Sequence, residues 1–202
     1  MATKITFSVY DWRDLMKAAT PIVNSKANRE KILTKYLCFN FADQEATVYV
    51  CNGVQLLRAR IPAKWEEPFA LKNLLIPPAK IPARTRSIEM FIDGPDDAPN
   101  TNIAFIDDDN DIIDSVEVPF VTFDVVDYAG YFNMCLKKVQ DINRGDGRYQ
   151  IAVNPSVLLD TLQGFKDAEA VVLNFAEPSD GFIVTPTNNY DFQTVVLPIR
   201  IA

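Results

Sequence analysis

The chain has 202 residues, 48% hydrophobic and 23% charged, with a net charge of −7 and no histidine. That length supports one large domain or two small ones with a sizeable core. No apolar run approaches the ~18 residues of a bilayer span, and the missing histidine removes the usual general base, the usual activator of serine or cysteine and the commonest zinc ligand.

The charge is unevenly spread. Between Arg86 and Lys137 there is no lysine or arginine, while twelve of the 27 acids fall from Glu89 to Asp127. The remainder carries 20 basic and 15 acidic residues. An acidic middle with a basic remainder points to separate faces, and leaves room for a local basic track in an acidic protein.

In chain order, Ile5, Phe7 and Val9 alternate with Thr6 and Ser8, which predicts a half-buried strand over residues 4–10. Asp11 reads as the cap of a helix whose stripe is Trp12, Leu15, Met16, Ala19 and Val23. Arg13 and Lys17, four apart, share another face, and Pro21 is expected to end or kink this helix. Residues 25–35 are polar and basic, with Lys26, Arg29, Lys31 and Lys35. Three strands are expected at 35–42, 46–51 and 54–61, the last two joined through Asn52-Gly53.

Pro62, Pro68, Pro77, Pro78 and Pro82 bar a regular helix over 62–86. Strands are expected at 87–93, 102–106 and 112–126, with Asp107 to Asp111 as an acidic hairpin tip. Tyr128, Phe132, Cys135, Val139 and Ile142 form one helical face over 128–142, and Lys137 and Lys138 lie away from its centre. Arg144 to Arg148 reads as a turn. A strand at 149–153 then leads to a helix capped by Asn154 with Pro155 at its first position. Strands at 170–176, 181–185 and 192–201 complete a second strand, helix, three-strand order.

Short motifs add little chemistry. Asp107 to Asp111 fails the calcium-loop pattern, because Ile112 and Val118 stand where glycine and glutamate are needed. Arg144-Gly145-Asp146 matches an integrin tripeptide, but two glycines explain it as a turn. Cys38, Cys51 and Cys135 form no Cys-x-x-Cys pair and read as reduced core residues. No phosphate-cradling glycine loop or nucleophile elbow is present. The reading is therefore of no catalytic residues, no metal and no cofactor. The basic set Arg13, Lys17, Lys26, Arg29, Lys137 and Lys138 suits phosphates without sequence readout. A solvated helix face is the alternative.

Residues 149–201 carry a resemblance. They run through Asn154-Pro155, a Leu158-Leu159-Asp160-Thr161-Leu162 helix, a strand ending in Asn174-Phe175, Ile183-Val184-Thr185-Pro186, and Leu197-Pro198-Ile199-Arg200-Ile201. This ordered series resembles the closing segment of the bacterial DNA polymerase III β sliding clamp family. Residues 4–63 resemble the first half of a clamp domain more loosely, and Asp127-Tyr128 to Phe132 is similar to the segment that leaves such a domain.

The resemblance implies an α+β, DNA-clamp-like fold of antiparallel sheets and a few helices, built from strand-helix-three-strand units. It implies an N-terminal clamp-like domain over 1–126 and a C-terminal clamp-like segment over 127–202, with one composite unit as the alternative. It further implies a non-enzymatic, cytoplasmic protein that tethers polymerase or other replication-protein peptides on duplex DNA, with no membrane partner. Arg13, Lys17, Lys137 and Lys138 become phosphate contacts, and Val195, Leu197 and Pro198 line a peptide pocket. The chain is shorter than a three-domain clamp, so ring closure implies a homo-oligomer. The alternatives are a monomeric clamp-fold adaptor that binds a replication protein without DNA, and a histidine-free carboxylate hydrolase.

Overall fold

The structure is a computed structural model and describes residues 3–25, 35–66, 73–94, 99–118, 127–141, 151–175 and 180–198. The fold is α+β, with three helices on a branched antiparallel sheet of eleven strands among the described residues. Strand β1 (Thr3–Ser8) leads into helix α1 (Val9–Val23), then β2 (Leu37–Ala42), β3 (Glu45–Cys51) and β4 (Gln55–Trp65). Next come β5 (Asn73–Ile76), β6 (Ser87–Asp93), β7 (Asn100–Ile106) and β8 (Ile112–Val118). Helices α2 (Tyr128–Asp141) and α3 (Pro155–Gly164) precede β9 (Val171–Phe175), β10 (Phe182–Pro186) and β11 (Phe192–Val196).

The branch point is β4. One edge pairs with β3 from Gln44's neighbour Glu45 through Cys51. The other edge is divided: its first half takes β11, with Phe192 opposite Ala59 and Val196 opposite Gln55, and its last residues take β1. From β1 the sheet runs on through β6 and β7 to β8, and β5 closes the far side on β2. Strand β11, from the C-terminal part of the chain, thus joins the same sheet as β1 to β4.

Alternate strand residues point to opposite faces. Phe39, Val48, Leu57, Ala59, Phe182, Phe192 and Val196 join the main core with Trp12, Leu15 and Ile22 of α1 and Val157 of α3. Cys38, Tyr49, Leu56, Ile183 and Val195 point the other way, into a second cluster under Phe132 and Cys135 of α2. Helices α1 and α3 thus cover one face and α2 the other.

A buried polar network fixes α1 against α3. The Asn52 amide donates to the Ile22 carbonyl at 3.3 Å and to Gln55 Oε1 at 2.6 Å. Gln55 Nε2 donates to the Val157 carbonyl at 2.9 Å and to Thr161 Oγ1 at 2.7 Å. Asn52 and Gln55 are each 1% exposed, so satisfied bonds here hold the two helix ends in one geometry. Gly164 lies against α1 in the same seam, where an added Cβ would stand 3.1 Å from the Ala18 backbone.

Several local expectations are corrected. Ser8, not Asp11, caps α1, its hydroxyl accepting from the Tyr10 amide at 3.2 Å; Asp11 sits in the first turn. Helix α1 ends at Val23, two residues past Pro21 and near it as expected, with Ile22 buried in the core. The strand expected at 149–153 has no ladder over 151–153, where Ile151 and Val153 instead pack on the main core; residues 149 and 150 lie outside the described residues. So do residues 119–126, the end of one expected strand, and the Arg144 to Arg148 turn.

Candidate functional site

An open groove of about 1470 Å³ runs beside α1. Its wall carries Arg13, Lys17, Lys35, Lys80 and Lys166, against one acid, Asp114. Helix α1 supplies Arg13 and Lys17 because its apolar stripe, Trp12, Leu15, Met16 and Ala19, turns the other way onto the sheet. Lys35 stands at the entry to β2. Lys166 follows the last turn of α3, and Asp114 comes from the edge strand β8.

Lys80 is placed by the proline-rich segment. Prolines hold this stretch extended, so neighbours alternate in direction. Ala79 is buried and Ile81 packs on the main core, which leaves Lys80 exposed between them. The alternation Ala79, Lys80, Ile81 is the sequence sign of this placement, and Lys166 lies just past the end of α3.

The sequence-derived basic set is only partly brought together. Arg13 and Lys17 line the groove, with the Arg13 guanidinium 5.9 Å from the Tyr10 ring centroid. Lys137 and Lys138 are on α2, across the sheet, and Lys138 Nζ is 2.6 Å from Asp180 Oδ1. These two pairs therefore cannot form one continuous face. Lys26 and Arg29 lie outside the described residues.

Lys17 is also ion-paired. Its ammonium is 2.6 Å from Asp167 Oδ2 and 3.6 Å from Asp14 Oδ1. The hydrogen bond with Asp167 is the main cause that raises the Lys17 pKa, and the same bond holds the Asp167 carboxyl below its ordinary value. That direction is opposite to the raised carboxyl a general acid needs.

On the α2 face, Val195 is 1% exposed and belongs to the cluster under Phe132, so its side chain offers no surface to a partner. Leu197 and Pro198 are half-buried beside it. Phe132 in turn sits over Arg58, whose guanidinium is 4.3 Å from the ring centroid, and Tyr128 stacks on Tyr49 at 6.2 Å. Among the described residues the cysteines form no disulfide, and burial pushes the Cys38 thiol up to about 11, which keeps it protonated and unreactive at neutral pH.

At the acidic tip, Asp107 Oδ1 accepts from the amides of Asp109 and Asp111, both at 3.0 Å, so the aspartate caps the turn. Among the described residues, no group of three or more cysteine or carboxylate side chains is arranged to hold a metal ion. No helix among them is long and apolar enough to cross a membrane.

No protein-family model and no curated protein sequence matches the chain. Solved structures do. The DNA polymerase III beta chain of Streptococcus pneumoniae matches with a TM-score of 0.71 at 12% identity, over 98% of this chain and 65% of that one. The beta subunit of Thermotoga maritima gives 0.62 at 15% identity, over 98% and 66%, and the DNA polymerase sliding clamp of Bacillus subtilis gives 0.63 at 11%, over 98% and 64%. The chain thus spans about 65% of the length of these proteins. At such identities the likeness shows the fold alone, and that fold is the one found in sliding clamps.

Proposed function

We propose that the chain is a non-enzymatic, clamp-like protein that binds the phosphate backbone of duplex DNA through the α1 groove and tethers replication partners there. The observation that carries this reading is the charge of the groove: five basic side chains against one acid, in a chain whose net charge is −7. Basic side chains on a rigid helix and an extended segment neutralise phosphates without reading bases. Among the described residues the groove lining has no aromatic side chain, the stacking surface that single-strand binders use.

The reading includes a homo-oligomer that encircles the duplex. Peptide capture at the C-terminal end falls to Leu197 and Pro198, because Val195 is enclosed. The monomeric adaptor draws less support for that reason. The hydrolase reading draws less still, with Asp167 held ionised by Lys17.

The test is duplex affinity, by fluorescence anisotropy, between 50 and 200 mM salt. The expected slope of log K against log salt is about −3 to −4, a loss of roughly a hundred-fold across that range. Binding that ignores salt, or a preference for single strands of equal length, contradicts the reading.

A further inference from the structure

We propose that Asp167, assisted by Asp14, holds Lys17 back from the ligand and so sets the affinity of the groove below what its basic residues could give. This rests on the reading of the groove as a phosphate-backbone site.

The geometry is specific to these three side chains. Lys17 lines the large groove and also a small neighbouring cavity of about 110 Å³, whose wall includes Asp14, Asp167, Asn188 and Asn189. Its ammonium makes its 2.6 Å bond to Asp167 and stands 3.6 Å from Asp14, both of which line that cavity. The consecutive residues Lys166 and Asp167 divide between the two spaces: Lys166 lines the groove and Asp167 the cavity. One basic residue of five is thereby compensated by carboxylates placed beside it.

The pair is not a lock. The side chain of Lys17 is 40% exposed and that of Asp167 is 58% exposed, so solvent screens the attraction and a phosphate can compete for the ammonium. The effect is a several-fold lowering of affinity, suited to a protein that must hold DNA without fixing its position. Removing Asp167 frees Lys17 and also removes a negative charge from the approach of the phosphates, so the two effects need separating.

The experiment compares the wild-type protein with Asp167→Asn, Lys17→Gln and the double variant on one labelled duplex in 0.1 M salt. Asp167→Asn is expected to tighten binding by about three- to ten-fold and to steepen the salt slope by about 0.9. Lys17→Gln alone is expected to weaken binding by about two- to three-fold, and adding Asp167→Asn in that background to tighten it by less than about two-fold. Unchanged affinity in Asp167→Asn overturns the proposal. So does equal tightening in the Lys17→Gln background, which would reduce the effect to loss of a charge. A wild-type protein that binds duplex with the expected slope while Asp167→Asn changes nothing removes this proposal alone. Absence of duplex binding in the wild type and every variant removes the groove reading as well.

Discussion

Replacing Trp12 by alanine is expected to destabilise the protein by about 3–5 kcal/mol, close to a third or more of the stability of an ordinary domain. Trp12 is fully buried and is the residue through which α1 rests on the sheet. Its ring lies edge-on to Phe7 at 5.1 Å and stacks on Phe39 at 5.6 Å; Phe39 in turn stacks on Phe41 at 5.9 Å. Truncation removes the ring and leaves a cavity walled by aromatic side chains from β1 and β2, which cannot collapse without moving the strands. The indole Nε1 is buried and finds no hydrogen-bond partner among the described residues. Trp12→Phe therefore keeps part of the packing and relieves an unsatisfied donor, and is expected to cost much less than the alanine variant. Leu159, 60% exposed on α3, serves as the control, its alanine variant staying within about 0.5 kcal/mol. Urea denaturation measures all three. A loss below about 1 kcal/mol in Trp12→Ala would mean that α1 is not seated on the sheet as described.

The second large effect concerns charge. The double variant Arg13→Glu, Lys80→Glu places two acids in the groove lining, one on α1 and one on the proline-rich segment. Two phosphate contacts are lost and two repulsions replace them. Duplex affinity at 0.1 M salt is expected to fall by about a hundred-fold, and the salt slope to flatten by about 2. Both side chains are exposed, so the fold should be unaffected. The matching control is Lys137→Glu with Lys138→Glu on α2, across the sheet, which is expected to change affinity by less than about three-fold. Equal losses in the two double variants would place DNA elsewhere than the α1 groove.

The parts of this structure that were legible in the sequence are those written in short periods. Ile5, Phe7 and Val9 announce β1; Asn52-Gly53 marks the β3–β4 turn, where Gly53 has a φ of 91°; Asn154 and Pro155 mark the start of α3. The alternation continues through Val9 and Tyr10, which is why the strand was read too long: Val9 is buried under either assignment, and only the Ser8 hydroxyl, reaching the Tyr10 amide, decides for the helix. The helix ends at Val23, two residues past Pro21, where the Asn24 amide caps it on the Thr20 carbonyl at 3.0 Å.

What was illegible depends on long-range placement. Strands β2, β3 and β4 bury residues on both faces, a pattern that requires a cover on each side without naming which helix supplies it. Arg13, Lys17, Lys137 and Lys138 look equivalent in sequence, yet the sheet stands between the two pairs. Lys80 and Lys166 join Arg13 only through the fold, and Asp167 reaches Lys17 across 150 positions of chain. The buried Asn52 and Gln55 read as ordinary turn and strand residues until α1 and α3 supply their partners.

The most direct test of the central claim is an NMR titration of the amide-labelled protein with a short duplex at low salt, following backbone amides residue by residue. The account predicts shifts concentrated at Arg13, Thr20, Lys35, Lys80 and Lys166, which line the groove, and small changes along α2 and at Val195. Shifts centred on α2 and the Val195 face, or none at duplex concentrations in the hundred-micromolar range that reveal even non-specific binding, would contradict it.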